Sequence, residues 1–118
     1  MIASFMMTSC GKSDTVVIDN IEVKTKDLDK MNWAEATEAC EKMGEGYRLP
    51  TKDELNILYE NKDDIGGFTT EKVGFYWSST EGDDDETDAW VQEFRDGFQN
   101  DGGKHYNYRS RPVRSIEE

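Results

Sequence analysis

Six residues, Gly46-Tyr47-Arg48-Leu49-Pro50-Thr51, run straight into Lys52-Asp53-Glu54-Leu55 and constrain this chain more than any other stretch. Thr51 and Glu54 have the spacing of a capping box: the Thr oxygen accepts from the backbone N–H three residues on, and the Glu reaches back. Pro50 holds the residue before it in extended conformation. Tyr47 and Leu49 alternate as in a short strand. The stretch therefore reads as extended chain entering a helix through a fixed corner.

A second cap lies upstream. Asn32 with Glu35 predicts a first helix, and Trp33, Ala36, Cys40 and Met43 recur on one helical face. Gly44 and Gly46 end it. The helix after Thr51 presents Leu55, Leu58 and Tyr59 and runs to about Asn61. Before these helices, Val16-Val17-Ile18 and Ile21-Glu22-Val23 flank the turn-prone pair Asp19-Asn20 and predict a hairpin. Lys24 to Lys30 reads as a charged connection, and Lys62 to Gly74 as a loop.

The second half reads as β. Phe75-Tyr76-Trp77 is a ring-rich strand followed by Ser78-Ser79-Thr80. Six acids crowd Glu81 to Asp88, a run that repels itself and must be an exposed loop. Ala89 to Phe94 is the next strand, with Trp90 and Phe94 on one face. Asp96-Gly97 is a hairpin signal, and Asn100-Asp101-Gly102-Gly103 turns again. His105 to Ile116 reads as one long final strand, with Tyr106 and Tyr108 sharing a face and Pro112 marking an edge.

The chain has 118 residues, enough for one domain with a core and a tail. Its formal net charge is −12, which argues against nucleic acid and anionic lipid surfaces and permits cationic partners and metal ions. No stretch approaches the ~20 apolar residues of a membrane-spanning helix. The start is apolar up to Cys10 and then abruptly polar, which resembles the end of a bacterial lipoprotein signal, with Met7-Thr8-Ser9-Cys10 as the lipobox and Cys10 as the lipidated residue. No Lys or Arg precedes Cys10, as a secretory signal would require. A start placed too far downstream accounts for that, and a chance cysteine is the competing reading. Residues 1–15 are thus read as leader remnant and tether, and 16–118 as the folded domain. Lipidation of Cys10 would leave Cys40 a small buried hydrophobe without a disulfide partner. The expected location is the cell envelope, exported and lipid-anchored.

Several strings occur in order: Met31-Asn32-Trp33-Ala34-Glu35-Ala36, Arg48-Leu49-Pro50-Thr51, Trp77-Ser78-Ser79-Thr80, Ala89-Trp90-Val91-Gln92 and Arg111-Pro112-Val113-Arg114. Together they resemble the C-terminal domain family of the collagen-like adhesin Lcl, over about residues 20–116. The resemblance implies an α+β, C-type-lectin-like fold: two helices flanking a small antiparallel sheet, with N- and C-terminal strands paired. The same superfamily includes formylglycine-generating enzymes and the variable proteins of diversity-generating retroelements. It implies a non-catalytic binding or adhesion domain whose ligand, a protein or a glycan, stays unnamed. The alternatives are a structural or interaction subunit of an envelope assembly and, third, an enzyme of unrecognised type. The calcium-holding Glu-Pro-Asn and Trp-Asn-Asp strings of sugar-binding lectins are absent. So is the cysteine pair of formylglycine-generating enzymes.

Two candidate sites follow. The acidic loop offers Asp83, Asp84, Asp85, Glu86 and Asp88 as calcium ligands, although consecutive carboxylates point in opposite directions and a solvated loop competes. No other cofactor is expected. The late segment offers Asn100, His105, Tyr106, Asn107, Tyr108 and Arg109, since tyrosine rings and amides suit recognition. In the retroelement proteins the binding face lies in the corresponding late part of the fold. The competing reading packs Tyr106 and Tyr108 on the sheet. A lone His105 argues against zinc and against a catalytic triad. Arg48, Arg109, Arg111 and Arg114 are expected to pair with acids.

Overall fold

A computed structural model describes residues 14–83 and 86–116. Cys10, Asp84 and Asp85 lie outside the described residues.

Both caps form as the sequence directs. In α1 (Trp33–Lys42) the Asn32 side chain accepts from Glu35 N–H and Glu35 reaches back to Asn32 N–H. Thr51 and Glu54 do the same for α2 (Lys52–Glu60). Ala36 and Cys40 of α1, and Leu55 and Leu58 of α2, are buried. Met43 departs from the predicted face: it forms the C-cap and is exposed, because the helix ends before that position reaches the core.

The strands are β1 (Thr15–Ile18), β2 (Ile21–Lys24), β3 (Leu28–Met31), β4 (Phe75–Glu81), β5 (Asp88–Glu93), β6 (Gln99–Gly103), β7 (Tyr108–Ser110) and β8 (Val113–Ser115). They form a three-stranded sheet, β1-β2-β8, and a five-stranded sheet, β3-β7-β4-β5-β6. β2 pairs antiparallel with β8, so the N- and C-terminal ends are joined. The corner closes on β8 too: Arg48 and Val113 exchange backbone hydrogen bonds at 2.8 and 2.9 Å.

Five expectations need correction. The final segment is not one strand: β7 and β8 belong to different sheets, and the chain changes sheets at Arg111-Pro112, where proline cannot donate to a ladder. The sheet is not purely antiparallel, because β4 and β7 pair in parallel. The span 62–74 begins with a one-turn helix, α3 (Lys62–Ile65), whose Ile65 is buried in the core. The charged connection 24–30 contains β3, and the supposed turn at Asn100–Gly103 is most of edge strand β6.

Two apolar clusters fill the interior. One joins Val23, Leu55, Leu58, Tyr76, Phe94 and Val113; the other joins Ala36, Cys40, Leu49, Trp77, Ala89 and Val91. Ser78-Ser79-Thr80 lies within β4 and ties it to the corner. Ser79 N–H donates to the Pro50 carbonyl (2.7 Å), and Lys52 N–H donates to Thr80 Oγ1 (2.8 Å).

Candidate functional site

The late segment builds an aromatic row from the inside outward. Trp77 is fully buried and donates through Nε1 to the Met31 carbonyl at 3.0 Å. Tyr108 leans edge-on to it, with centroids 5.0 Å apart, and also meets Phe75 at 5.4 Å. Tyr106 lies 6.0 Å from Tyr108, and His105 lies 4.3 Å from Tyr106. The row thus runs from the core to solvent, where Tyr106 is 53% exposed. Burial raises the Tyr108 hydroxyl above the ordinary tyrosine value, and Tyr106 adds to the rise.

Two glycines of β6 make room for these rings. A Cβ on Gly102 would stand 3.2 Å from the Tyr108 ring, and one on Gly103 would stand 2.8 Å from His105. Larger residues there would push the rings away. Asn100 is exposed two residues from Gly102, on the same face of β6. Asn107 is exposed in the turn between His105 and β7. A flat apolar ring flanked by adaptable amides can stack on a partner and hydrogen-bond to it.

Arg109 does not join this group. It points to the other side of β7 and pairs with Asp27, Nε to Oδ2 at 3.8 Å, because neighbouring residues of a strand face opposite ways. Tyr108 serves more as the buried root of the row than as contact surface. Tyr108 therefore packs on the sheet, as the competing reading expected, while the Tyr106 ring is exposed.

The acidic loop is the β4–β5 connection, closed by Gly82 N–H donating to the Asp88 carbonyl at 2.8 Å. Asp83 and Glu86 are exposed. Among the described residues, no three His, Cys, Asp or Glu side chains converge as a metal site.

The arginines pair with acids as expected. Arg48 makes a two-pronged bridge to Glu54 at 2.7 and 3.0 Å, which holds the Glu54 carboxyl below its usual range. Arg114 bridges Glu22 at 2.8 Å. Arg111 is fully buried and donates to Asp27 Oδ1 from Nε (3.0 Å) and Nη2 (2.6 Å), and from Nη1 to the carbonyls of Lys24 and Gly66. Tyr76 donates its hydroxyl to Asp27 Oδ2 at 2.7 Å. Asp27 is thus the hub between the β2–β3 connection, β4 and the Arg111-Pro112 crossover. Sequence reasoning missed it among other charges; the one available signal was an arginine beside the proline that ends a strand.

A cavity of about 550 Å³ lies beside this hub, lined by Val16, Thr25, Lys26, Ile65 and Gly66 among others. None of the predicted site residues lines it.

The fold matches those of snake venom proteins. Convulxin, a snake venom toxin, superposes with a TM-score of 0.65 at 12% identity, covering 92% of this chain and all of that one. EMS16, an antagonist of the collagen receptor integrin α2β1, gives 0.64 at 14% identity, covering 90% of this chain and 100% of its own. Botrocetin gives 0.63 at 11% identity, covering 91% and 100%. These likenesses establish the C-type-lectin-like fold. No curated protein matches the chain in sequence. Residues 10–114 match the Lcl C-terminal domain family, and the chain therefore belongs to that family.

Proposed function

We propose that this protein is a non-catalytic binding domain whose contact surface is the aromatic row His105–Tyr106, flanked by Asn100 and Asn107. The observation that carries the reading is the exposed Tyr106 ring held over the glycine backbone of β6 and continuous with the core through Tyr108 and Trp77. A presented aromatic with a rigid root offers contact area at low entropic cost. Structures of similar fold support a protein as partner: EMS16 is described as an integrin antagonist, and botrocetin forms a complex with a von Willebrand factor A1 domain. Cys40 is buried and its thiol is pushed up to about 12, which makes it a poor nucleophile. The transition from apolar sequence to Cys10 further supports export and a lipid anchor. Cys10→Ala should then move the protein from the membrane fraction to the soluble fraction.

The test is a panel of immobilised neutral glycans and purified extracellular-matrix proteins, probed with the full chain. Tyr106→Ala should weaken any captured ligand by about tenfold or more while leaving the unfolding midpoint nearly unchanged. A ligand bound equally by wild type, Tyr106→Ala and His105→Ala would refute this surface.

A further inference from the structure

The five-stranded sheet ends at β6, and no described strand or helix pairs with its outer edge. The register shows which backbone groups face outward. Glu93 N–H bonds to the Phe98 carbonyl and Lys104 N–H to the Thr87 carbonyl, so the even-numbered residues of this strand exchange hydrogen bonds with β5. In an antiparallel ladder the alternate residues then turn their N–H and C=O groups away. Those residues are Gln99 and Asp101, together with the Gly103 N–H. An exposed edge of this kind is a template for another strand. Here it is framed by exposed rings: Phe98 before it and Tyr106 after it are each 53% exposed.

Charge selects the occupant. The chain carries a net −12, and Asp101 is exposed on this strand. The nearby cations are already engaged: Lys52 with the Trp90 ring, Lys104 with Glu81 and the Trp33 ring, Arg95 with Glu93 and Asp96. A second copy would bring a like charge to the same edge and repel. A basic segment would meet the Asp101 carboxylate, the net negative field of the chain and two exposed rings able to receive its cations.

We propose that β6 docks an extended, basic segment of a partner polypeptide, which joins the sheet as a sixth strand. This rests on the binding-module reading for its class of function; Tyr106 borders both surfaces, and the outward backbone groups of β6 are what distinguishes this one. The edge is about 17 Å long, room for five or six residues of the partner.

The probe is a fluorescein-labelled octapeptide of alternating arginine and valine, followed by anisotropy with the full chain. An alternating glutamate–valine peptide is the charge control. A form of the basic peptide with N-methylated central amides keeps its charge but cannot pair with a strand. The basic peptide should bind at least about tenfold more tightly than the acidic one, and N-methylation should remove about tenfold or more. Asp101→Pro deletes one outward N–H without touching the β5 ladder and should weaken binding similarly, whereas Asp101→Asn should cost about threefold or less. Equal binding of the N-methylated peptide would overturn the proposal even if Asp101→Pro fails to fold. So would a dimer in sedimentation that Asp101→Pro dissociates, which would put a second copy on the edge. A panel ligand lost in Tyr106→Ala but kept in Asp101→Pro, with no peptide binding, would leave the aromatic surface standing and sink the edge.

Discussion

Replacing Asp27 by alanine should destabilise the fold by about 3–5 kcal/mol, the range for breaking a buried ion pair from one side. The structure sets that scale. Arg111 is 0% exposed and keeps only the Lys24 and Gly66 carbonyls and the Phe68 ring when the carboxylate is gone. Each hydrogen bond lost to a charged group contributes about 1.5–3 kcal/mol, and these do not add independently. Against a total stability of about 5–15 kcal/mol the loss is roughly a fifth or more, and the midpoint should fall by roughly 10–20 °C. Urea unfolding followed by tryptophan fluorescence would read it, for Asp27→Ala, Arg111→Met and the double variant. Most of the cost comes from an orphaned buried cation, so the double variant should be clearly less destabilised than the sum of the singles, by about 2 kcal/mol or more. Additive costs, or a cost below about 1 kcal/mol for Asp27→Ala, would refute the hub.

Three further outcomes are expected. Glu54 has a folded pKa below its unfolded value, chiefly through its bond to Arg48, so its stabilisation is present above the unfolded value of 4.5 and is lost as pH falls through the folded value. Glu54→Gln should therefore lower the neutral-pH midpoint but flatten the decline between neutral pH and strong acid; an unchanged acid profile would remove this bridge from the account. Cys40 should resist a thiol reagent in the native protein and react fully once unfolded, because burial pushes its thiol up to about 12; rapid native labelling would show that α1 opens. Millimolar calcium should leave the unfolding midpoint unchanged relative to EDTA, and a rise abolished by Asp83→Asn with Asp88→Asn would establish the acidic loop as a metal site.

Local signals carried far along the chain. Both helix starts were legible because a capping box is written in four consecutive residues, and the β1–β2 hairpin because a turn pair separates two β-branched runs. The hairpin at Asp96-Gly97 was legible for the same reason: Gly97 takes a φ of +84° with its Cα against the Tyr59 ring, where a Cβ would clash at 2.7 Å. Of the candidate binding residues, Asn100, His105, Tyr106 and Asn107 are exposed, and His105 and Tyr106 lie against the backbone of Gly103. Arg109 was misgrouped because strand alternation sends it to Asp27. The exposure of Tyr106 beside the packing of Tyr108 was open in the sequence, since both rings fall two residues apart and only the end of β7 separates them.

What the sequence determined by itself is the set of elements whose causes lie within a few residues: the two capped helices, the Arg48–Thr51 corner, the hairpin turns and the acidic connection. Tertiary structure alone decided how the last strand divides, because β7 and β8 differ only in which sheet offers each a partner. It also decided which of many acids matters. Asp27 is one aspartate in a charged stretch until the fold brings Arg111 and Tyr76 to it from 84 and 49 residues away. Such contacts leave no local pattern, because the burial that makes the pair consequential comes from packing distant segments together.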